Sequence, residues 1–149
     1  MMKTLIIYHS PEGICERMAK DVAKGAEKNG EVILKSVEEA NPKELLEADV
    51  IILGSPCHFA NMSWQMKKFV DDSVEFYGQL KGKKGGCFVS SATLKDGKDA
   101  LLALKLALEI HGMEVEEGPI AVAVPTEEFL KECEAYGERI TEKIGGEKK

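Results

Sequence analysis

The chain contains no apolar run near the ~20 residues that a membrane span requires. Its first residues, MMKTLIIYHS, have too short an apolar stretch for a secretory signal and lack a small-residue cleavage site. There are four cysteines, Cys15, Cys57, Cys87 and Cys133, and no two form a CxxC pair. Such spacing suits reduced thiols better than a disulfide framework or a zinc site, and a cytoplasmic protein is expected. Only three histidines are present, and none is spaced with a carboxylate to build a metal site. Basic excess is missing as well. Lys and Arg total 20 against 26 Asp and Glu, a net charge of -6, which removes the cationic face that nucleic-acid binding needs. The acidic balance is compatible with docking onto a basic protein surface. No repeat, low-complexity tract or linker interrupts the 149 residues, so one domain over 1–149 is expected.

What is present alternates between strand and helix signals. TLIIY (4–8), VILKSV (32–37), VIILGS (50–55) and GCFVSS (86–91) read as strands, and a fifth is expected between 115 and 124, centred on IAVAV. VILKSV alternates apolar and polar residues, as a sheet edge does, whereas VIILGS is apolar throughout, as a central parallel strand is. Ile14, Met18, Val22 and Ala26 mark the face of a first helix that stops near Asn29-Gly30. PKELLEA after Asn41 reads as a short helix. A long one follows, with core face Met62, Met66, Phe69, Val70 and Phe76 or Tyr77. ALLALKLALEI is closed by His111-Gly112, and 126–144 form a last helix before the tail GGEKK.

Five strands alternating with helices imply a doubly wound parallel sheet with right-handed crossovers. Ligands of such sheets bind beyond the carboxyl ends of the strands, at the topological switch point. That selects the loops His9–Cys15, Pro56–Asn61 and Ala92–Lys98. In the first, the amides of Gly13, Ile14 and Cys15 open a helix and favour an anion, and Ser10 adds a hydroxyl. The plainer alternative is a helix start in which Ser10 caps and Glu12 complements the dipole. A phosphoacceptor receiver is set aside because Leu53-Gly54-Ser55 holds no aspartate at the end of the third strand. HSPEGICE is not the GxGxxG of a dinucleotide-binding fold.

The second loop and the residues after it, SPCHFANMSWQMKKFVDD, resemble flavodoxin-like FMN proteins, in particular the multimeric flavodoxin and NADPH-dependent FMN reductase group. That group shows G-S-P-T-Y-F-x-N-M-S followed by a helix with QMKxFxD. Gly54, Ser55, Pro56, Phe59, Asn61, Met62 and Ser63 match, as do Gln65, Met66, Lys67, Phe69 and Asp71. The first loop resembles Y-S-x-T-G-N-T-x-x-[ML]-A in Ser10, Gly13, Met18 and Ala19, and FVSSA with HGMEV gives a third echo near 88–115. The resemblance implies a flavodoxin-like three-layer α/β sandwich, a five-stranded parallel sheet in order 2-1-3-4-5 with helices on both faces. It implies FMN as cofactor. Ser10, Glu12, Gly13, Ile14 and Cys15 would surround the phosphate, and Pro56, Cys57, His58, Phe59 and Asn61 would wrap the ring. Ser90, Ser91, Ala92, Thr93 and Gly97 would flank its other edge.

The departures cluster in the first loop, where Glu12, Ile14 and Cys15 replace threonine, asparagine and threonine. Two lost hydroxyl donors to a charged partner would cost ~3–6 kcal/mol. In the second loop Cys57 replaces threonine and His58 replaces tyrosine. The implied function is an FMN-binding electron carrier or small flavin/quinone reductase, serving a redox partner protein or a small-molecule acceptor. The alternative, from the damaged loop, is a flavin-free binding or regulatory module of the same fold. Cys15, at a helix start, is expected to have a lowered pKa and to lie on a loop adjacent to that of Cys57, which raises a redox pair, with two free thiols the simpler reading. Trp64 is expected in the core or, failing that, beside the flavin pocket or on a partner surface. The helix ALLALKLALEI is apolar nearly all round, which raises a homodimer contact as an expectation beside a wide core face.

Overall fold

The computed structural model describes residues 2–142. Strand β1 (Lys3–Tyr8) leads into α1 (Ile14–Ala26), then β2 (Glu31–Ser36), β3 (Val50–His58), a short β4 (Asn61–Met62) and α2 (Trp64–Asp72). β5 (Lys84–Ser91), α3 (Leu94–Ile110), β6 (Glu114–Val122) and α4 (Glu127–Ile140) complete the chain. The five long strands pair in parallel in the spatial order β2-β1-β3-β5-β6. This is the expected 2-1-3-4-5 order, with β4 as an addition that pairs antiparallel to the end of β3.

Apolar patterning accounts for the layers. β3 is buried from Val50 to Pro56, as a strand covered on both faces must be, whereas edge strand β2 is only half-buried. Leu5, Ile7, Ile51 and Leu53 point to one face, where they meet Met66, Phe69, Leu101 and Leu104. Ile6, Ile52 and Phe88 point to the other and meet Met18, Val22, Tyr136 and Ile140. On that second face α1 and α4 approach closely through glycines. A Cβ on Gly25 would enter the Glu134 carbonyl, and one on Gly137 would enter that of Val22.

Boundaries differ from expectation where local chemistry overrides pattern. Pro42–Glu47 is a 3-10 turn rather than an α-helix, held by a capping box between Asn41 and Glu44. The long helix expected from Met62 to Tyr77 begins at Trp64, because Ser63 caps it, and gives way to a 3-10 turn over Ser73–Phe76. Met62 therefore belongs to β4. The fifth parallel strand runs over 114–122 rather than centring on IAVAV, with its register against β5 shifted by a bulge between Cys87 and Val89. The last helix is described to Ile140, and the tail GGEKK lies outside the described residues.

Tyr136 repairs that bulge. Its ring is buried, and its hydroxyl accepts from Cys87 N–H (3.0 Å) and donates to the Glu116 carbonyl (2.6 Å). Tyr136→Phe leaves the buried Cys87 N–H without a partner and removes the donor to the part-buried Glu116 carbonyl, and is expected to cost about 1–3 kcal/mol in urea unfolding, with the native fold retained. A loss below experimental error would show that the bulge satisfies itself.

Candidate cofactor site at the carboxyl end of the sheet

The loop after β1 is an amide-lined cradle. Gly13 caps α1 with φ of 90°, a left-handed conformation that favours glycine, and a Cβ placed there would meet nothing within 4 Å. Ser10 Oγ accepts from Glu16 N–H at 2.9 Å, which fastens the loop to the first turn of the helix. Among the described residues no protein acceptor lies on the amides of Gly13, Ile14 and Cys15. They sit at the positive end of a 13-residue helix, a geometry that accepts an anion. Glu12 is exposed and Ile14 half-buried. Cys15 turns inward, its Sγ 3.4 Å from Ser90 Oγ. Burial, outweighing the hydrogen bond to Ser90, pushes its thiol up to about 11 instead of the lowered value expected of a helix-start cysteine.

The loop after β3 is a hairpin. Cys57 pairs with Met62 and His58 with Asn61, leaving Phe59 and Ala60 as a two-residue turn. Both have positive φ, 53° and 63°, the pattern of a type I′ turn that ordinarily uses Asn-Gly. Non-glycine residues pay roughly 1–2 kcal/mol each for that conformation. The strained turn holds the Phe59 ring fully in solvent, at 104% relative exposure. Pro56 is buried and His58 exposed, while the half-buried Cys57 donates its thiol to the Asp96 carbonyl at 3.3 Å. That bond ties the hairpin to α3. Cys57 and Cys15 are free thiols.

The loop after β5 supplies the third wall. Ser91 Oγ accepts from Thr93 N–H, and Thr93 Oγ1 caps α3 by accepting from Asp96 N–H at 3.1 Å. Ala92 and Thr93 are exposed, whereas Ser90 and Gly97 are buried. Gly97 packs α3 against the sheet, since a Cβ there would press on Ile120 and Ser91. Beside this loop, Ala123 N–H donates to the Ser91 carbonyl at 3.3 Å, with φ of 67° and with Val122 and Val124 exposed on either side. Sequence reasoning did not assign this β6 loop to the site.

His9, at the start of the first loop, also belongs to the site's framework. His9 is 4% exposed and joins three loops: its N–H donates to the Gly54 carbonyl (3.0 Å), Nδ1 lies 2.8 Å from Ser63 Oγ, and Nε2 lies 3.7 Å from Glu38. Ser63 N–H in turn donates to Ser55 Oγ at 2.9 Å. Trp64, one residue on, is exposed rather than in the core. Among the described residues no cluster of side chains is arranged to hold a metal ion, and no helix is long and apolar enough to cross a membrane.

Comparison with known proteins agrees with this geometry. A family model described as a flavodoxin-like fold matches residues 2–140, and the chain belongs to that family. It is 34% identical to a flavodoxin from Clostridium saccharobutylicum, with 96% of this chain and 98% of the relative covered. It is 31% identical to an NAD(P)H dehydrogenase (quinone) from Archaeoglobus fulgidus, covering 95% and 97%. The solved structure of a flavodoxin from the domain Archaea superimposes with a TM-score of 0.84 at 30% identity, covering 94% of this chain and 96% of that one.

Two measurements test the loop physics. Burial lowers both His9 and His111 below the usual 6.5, although Glu38 pulls His9 upward. The unfolded chain therefore takes up protons first as pH falls, so stability is full above 6.5 and declines below it. Thermal midpoints are expected to be flat between pH 7 and 8 and to fall toward pH 5; His9→Gln with His111→Gln should flatten that decline, and an unchanged slope would refute the assignment. In the hairpin, Ala60→Gly relieves a left-handed alanine and is expected to stabilise the ligand-free protein by about 1 kcal/mol. A destabilised Ala60→Gly would mean that the turn carries no strain.

Proposed function

We propose that the chain binds FMN between these loops and serves as an electron-transfer flavoprotein, a carrier or small flavin/quinone reductase. The observation that carries the reading is adjacency. β1 and β3 are hydrogen-bonded neighbours, Tyr8 beside Gly54, and end in an open amide cradle and a fully exposed aromatic ring respectively. An anion and a flat apolar ring within one ligand use both. The residues fit the group. The amides of Gly13, Ile14 and Cys15 with Ser10 would hold the phosphate, and Pro56, Cys57, His58 and Phe59 would flank the ring. Asn61 sits at the base of that hairpin, and Ser91, Ala92 and Thr93 line the far side. Glu12 borders the phosphate without donating to it. Ser90 and Gly97 support the walls from behind.

When bound, the flavin supplies reversible one- and two-electron chemistry. The chain's own part is to seat it, to exclude water from one ring face with Phe59, and to leave an edge open for exchange. Glu16, Glu38 and Glu39 crowd the carboxyl end of β1, where after burial they push the Tyr8 phenol above its usual value. That acidic rim favours a redox partner with a basic surface. The names of the flavodoxin and quinone dehydrogenase relatives support both forms of the reading. The open hairpin favours the carrier, since no described element stands over Phe59 as the wall of a second substrate pocket. Four free cysteines among the described residues accord with a cytoplasmic setting. The flavin-free alternative is disfavoured because no described side chain fills the space over Gly13.

Titration of the apoprotein with FMN and riboflavin, read by flavin fluorescence quenching, tests this. FMN is expected to bind roughly ten- to a hundredfold tighter than riboflavin, the worth of a charged hydrogen-bond set. Phe59→Ala should weaken both equally, and Glu12→Thr should tighten FMN alone. Equal affinities would remove the phosphate role of the first loop. No binding of either at millimolar concentration would end the reading.

A further inference from the structure

Beside the cofactor loops, a recess of about 340 Å³ lies between the segment after β2 and the start of α2. Half-buried Val37 and Pro42 give it an apolar side. Three other groups that line it call for the same kind of partner. Trp64 is 69% exposed, so its indole is open to water. Glu38 is exposed, and no Lys or Arg among the described residues pairs with it. Its neighbour His9 lies 3.7 Å away, but burial lowers the His9 pKa and leaves the ring mostly uncharged at pH 7. Gln65 Oε1 is buried without a hydrogen-bond partner. Rotation about the last glutamine torsion, which is broad, turns that acceptor toward an entering donor. Lys68, the cation of the recess, is already held by Asp72 at 2.8 Å.

We propose that this recess receives an arginine side chain carried on the basic surface of a protein partner. A guanidinium is planar and answers all three groups at once. Its face stacks on the indole, and its fork of donors serves the Glu38 carboxylate and Gln65 Oε1. The methylene stem covers Val37 and Pro42. Other ligands meet only part of the set. A lysine ammonium is a point charge that cannot stack while bridging two acceptors. An uncharged planar ring leaves the carboxylate unanswered, and a phosphate is repelled by it. The recess adjoins the cofactor loops through His9, whose Nδ1 meets Ser63, the residue before Trp64. An arginine seated there holds its partner beside the loop after β1. That the partner is a redox protein rests on the proposed electron-transfer function; the arginine site does not.

Trp64 is the sole tryptophan of the chain, so tryptophan fluorescence of the full protein without flavin reads this recess directly. N-acetyl-arginine amide at low ionic strength is expected to give a saturable change in the millimolar range, and the peptide Gly-Arg-Gly should match it. The lysine analogue should bind severalfold more weakly, and the uncharged citrulline analogue should not saturate. Glu38→Gln is expected to weaken arginine binding about two- to fivefold. Glu31→Gln, the same charge change at the other end of β2, should leave it unaltered. An absent response, equal responses to arginine and citrulline, or binding indifferent to Glu38→Gln overturns the proposal. Free arginine binding much more tightly than the peptide overturns it too and gives the recess to a small molecule. Because flavin is absent throughout, the outcome is separate from that of the FMN titration.

Discussion

A polar group shut away from water must be answered by another polar group, and at the carboxyl end of this sheet that requirement joins the loops. Ser55, Ser63 and His9 are each at most 4% exposed. Ser55 donates to the Pro56 carbonyl and accepts from Ser63 N–H, and Ser63 Oγ meets both His9 Nδ1 and Met66 N–H. Leaving any one of these unpartnered would cost about 1–3 kcal/mol. The network therefore fixes the loop after β1 to the hairpin after β3 before any ligand arrives. Cradle and ring wall are one preorganised unit, and preorganisation lowers the ordering cost that binding must otherwise meet.

The sheet was legible because burial on both faces leaves a simple mark, the unbroken apolar runs of β1 and β3. The hairpin was not legible as a hairpin. Two paired residues carry no periodicity, and Phe59-Ala60 is the wrong chemistry for a turn with two positive φ angles, so only the family resemblance pointed to the ring. Trp64 shows how a boundary misleads. With Ser63 capping α2, the core face is Met66 and Phe69; at 100° per residue Trp64 lies 140° or more from both, facing solvent. The 3-10 turn over Pro42–Glu47 has the composition of a helix but only six residues, too few for propagation to repay nucleation.

Cys15 is where sequence reasoning about chemistry went furthest from the structure. A cysteine at a helix start is drawn toward the thiolate by the dipole, and that argument is sound for an exposed group. Here the second residue of α1 faces the sheet, packed in the same cluster as Met18, Phe88 and Cys133. Desolvation of the charged form then outweighs the dipole. The replacements in the first loop thus have a packing account: at position 15 a thiol fills space beside Ser90, and half-buried Ile14 packs against the same cluster.

That exchange shifts where affinity resides. Against the family pattern it resembles, the first loop has core-packing side chains at 14 and 15 and one carboxylate, Glu12, so an anion there meets neutral amides and a helix dipole worth up to ~1–2 kcal/mol. Apolar burial is indifferent to that carboxylate. In the proposed site a planar ring covering the exposed Phe59 gains ~25 cal/mol for each Å² of apolar surface removed from water, whatever the charge nearby. On that proposal the ring supplies most of the affinity, and the phosphate sets orientation more than strength. The strained turn is held in the left-handed region by the hairpin pairing of Cys57 with Met62 and of His58 with Asn61 and by the Cys57 bond to Asp96, and strain kept at such a place accords with a functional role for the Phe59 ring.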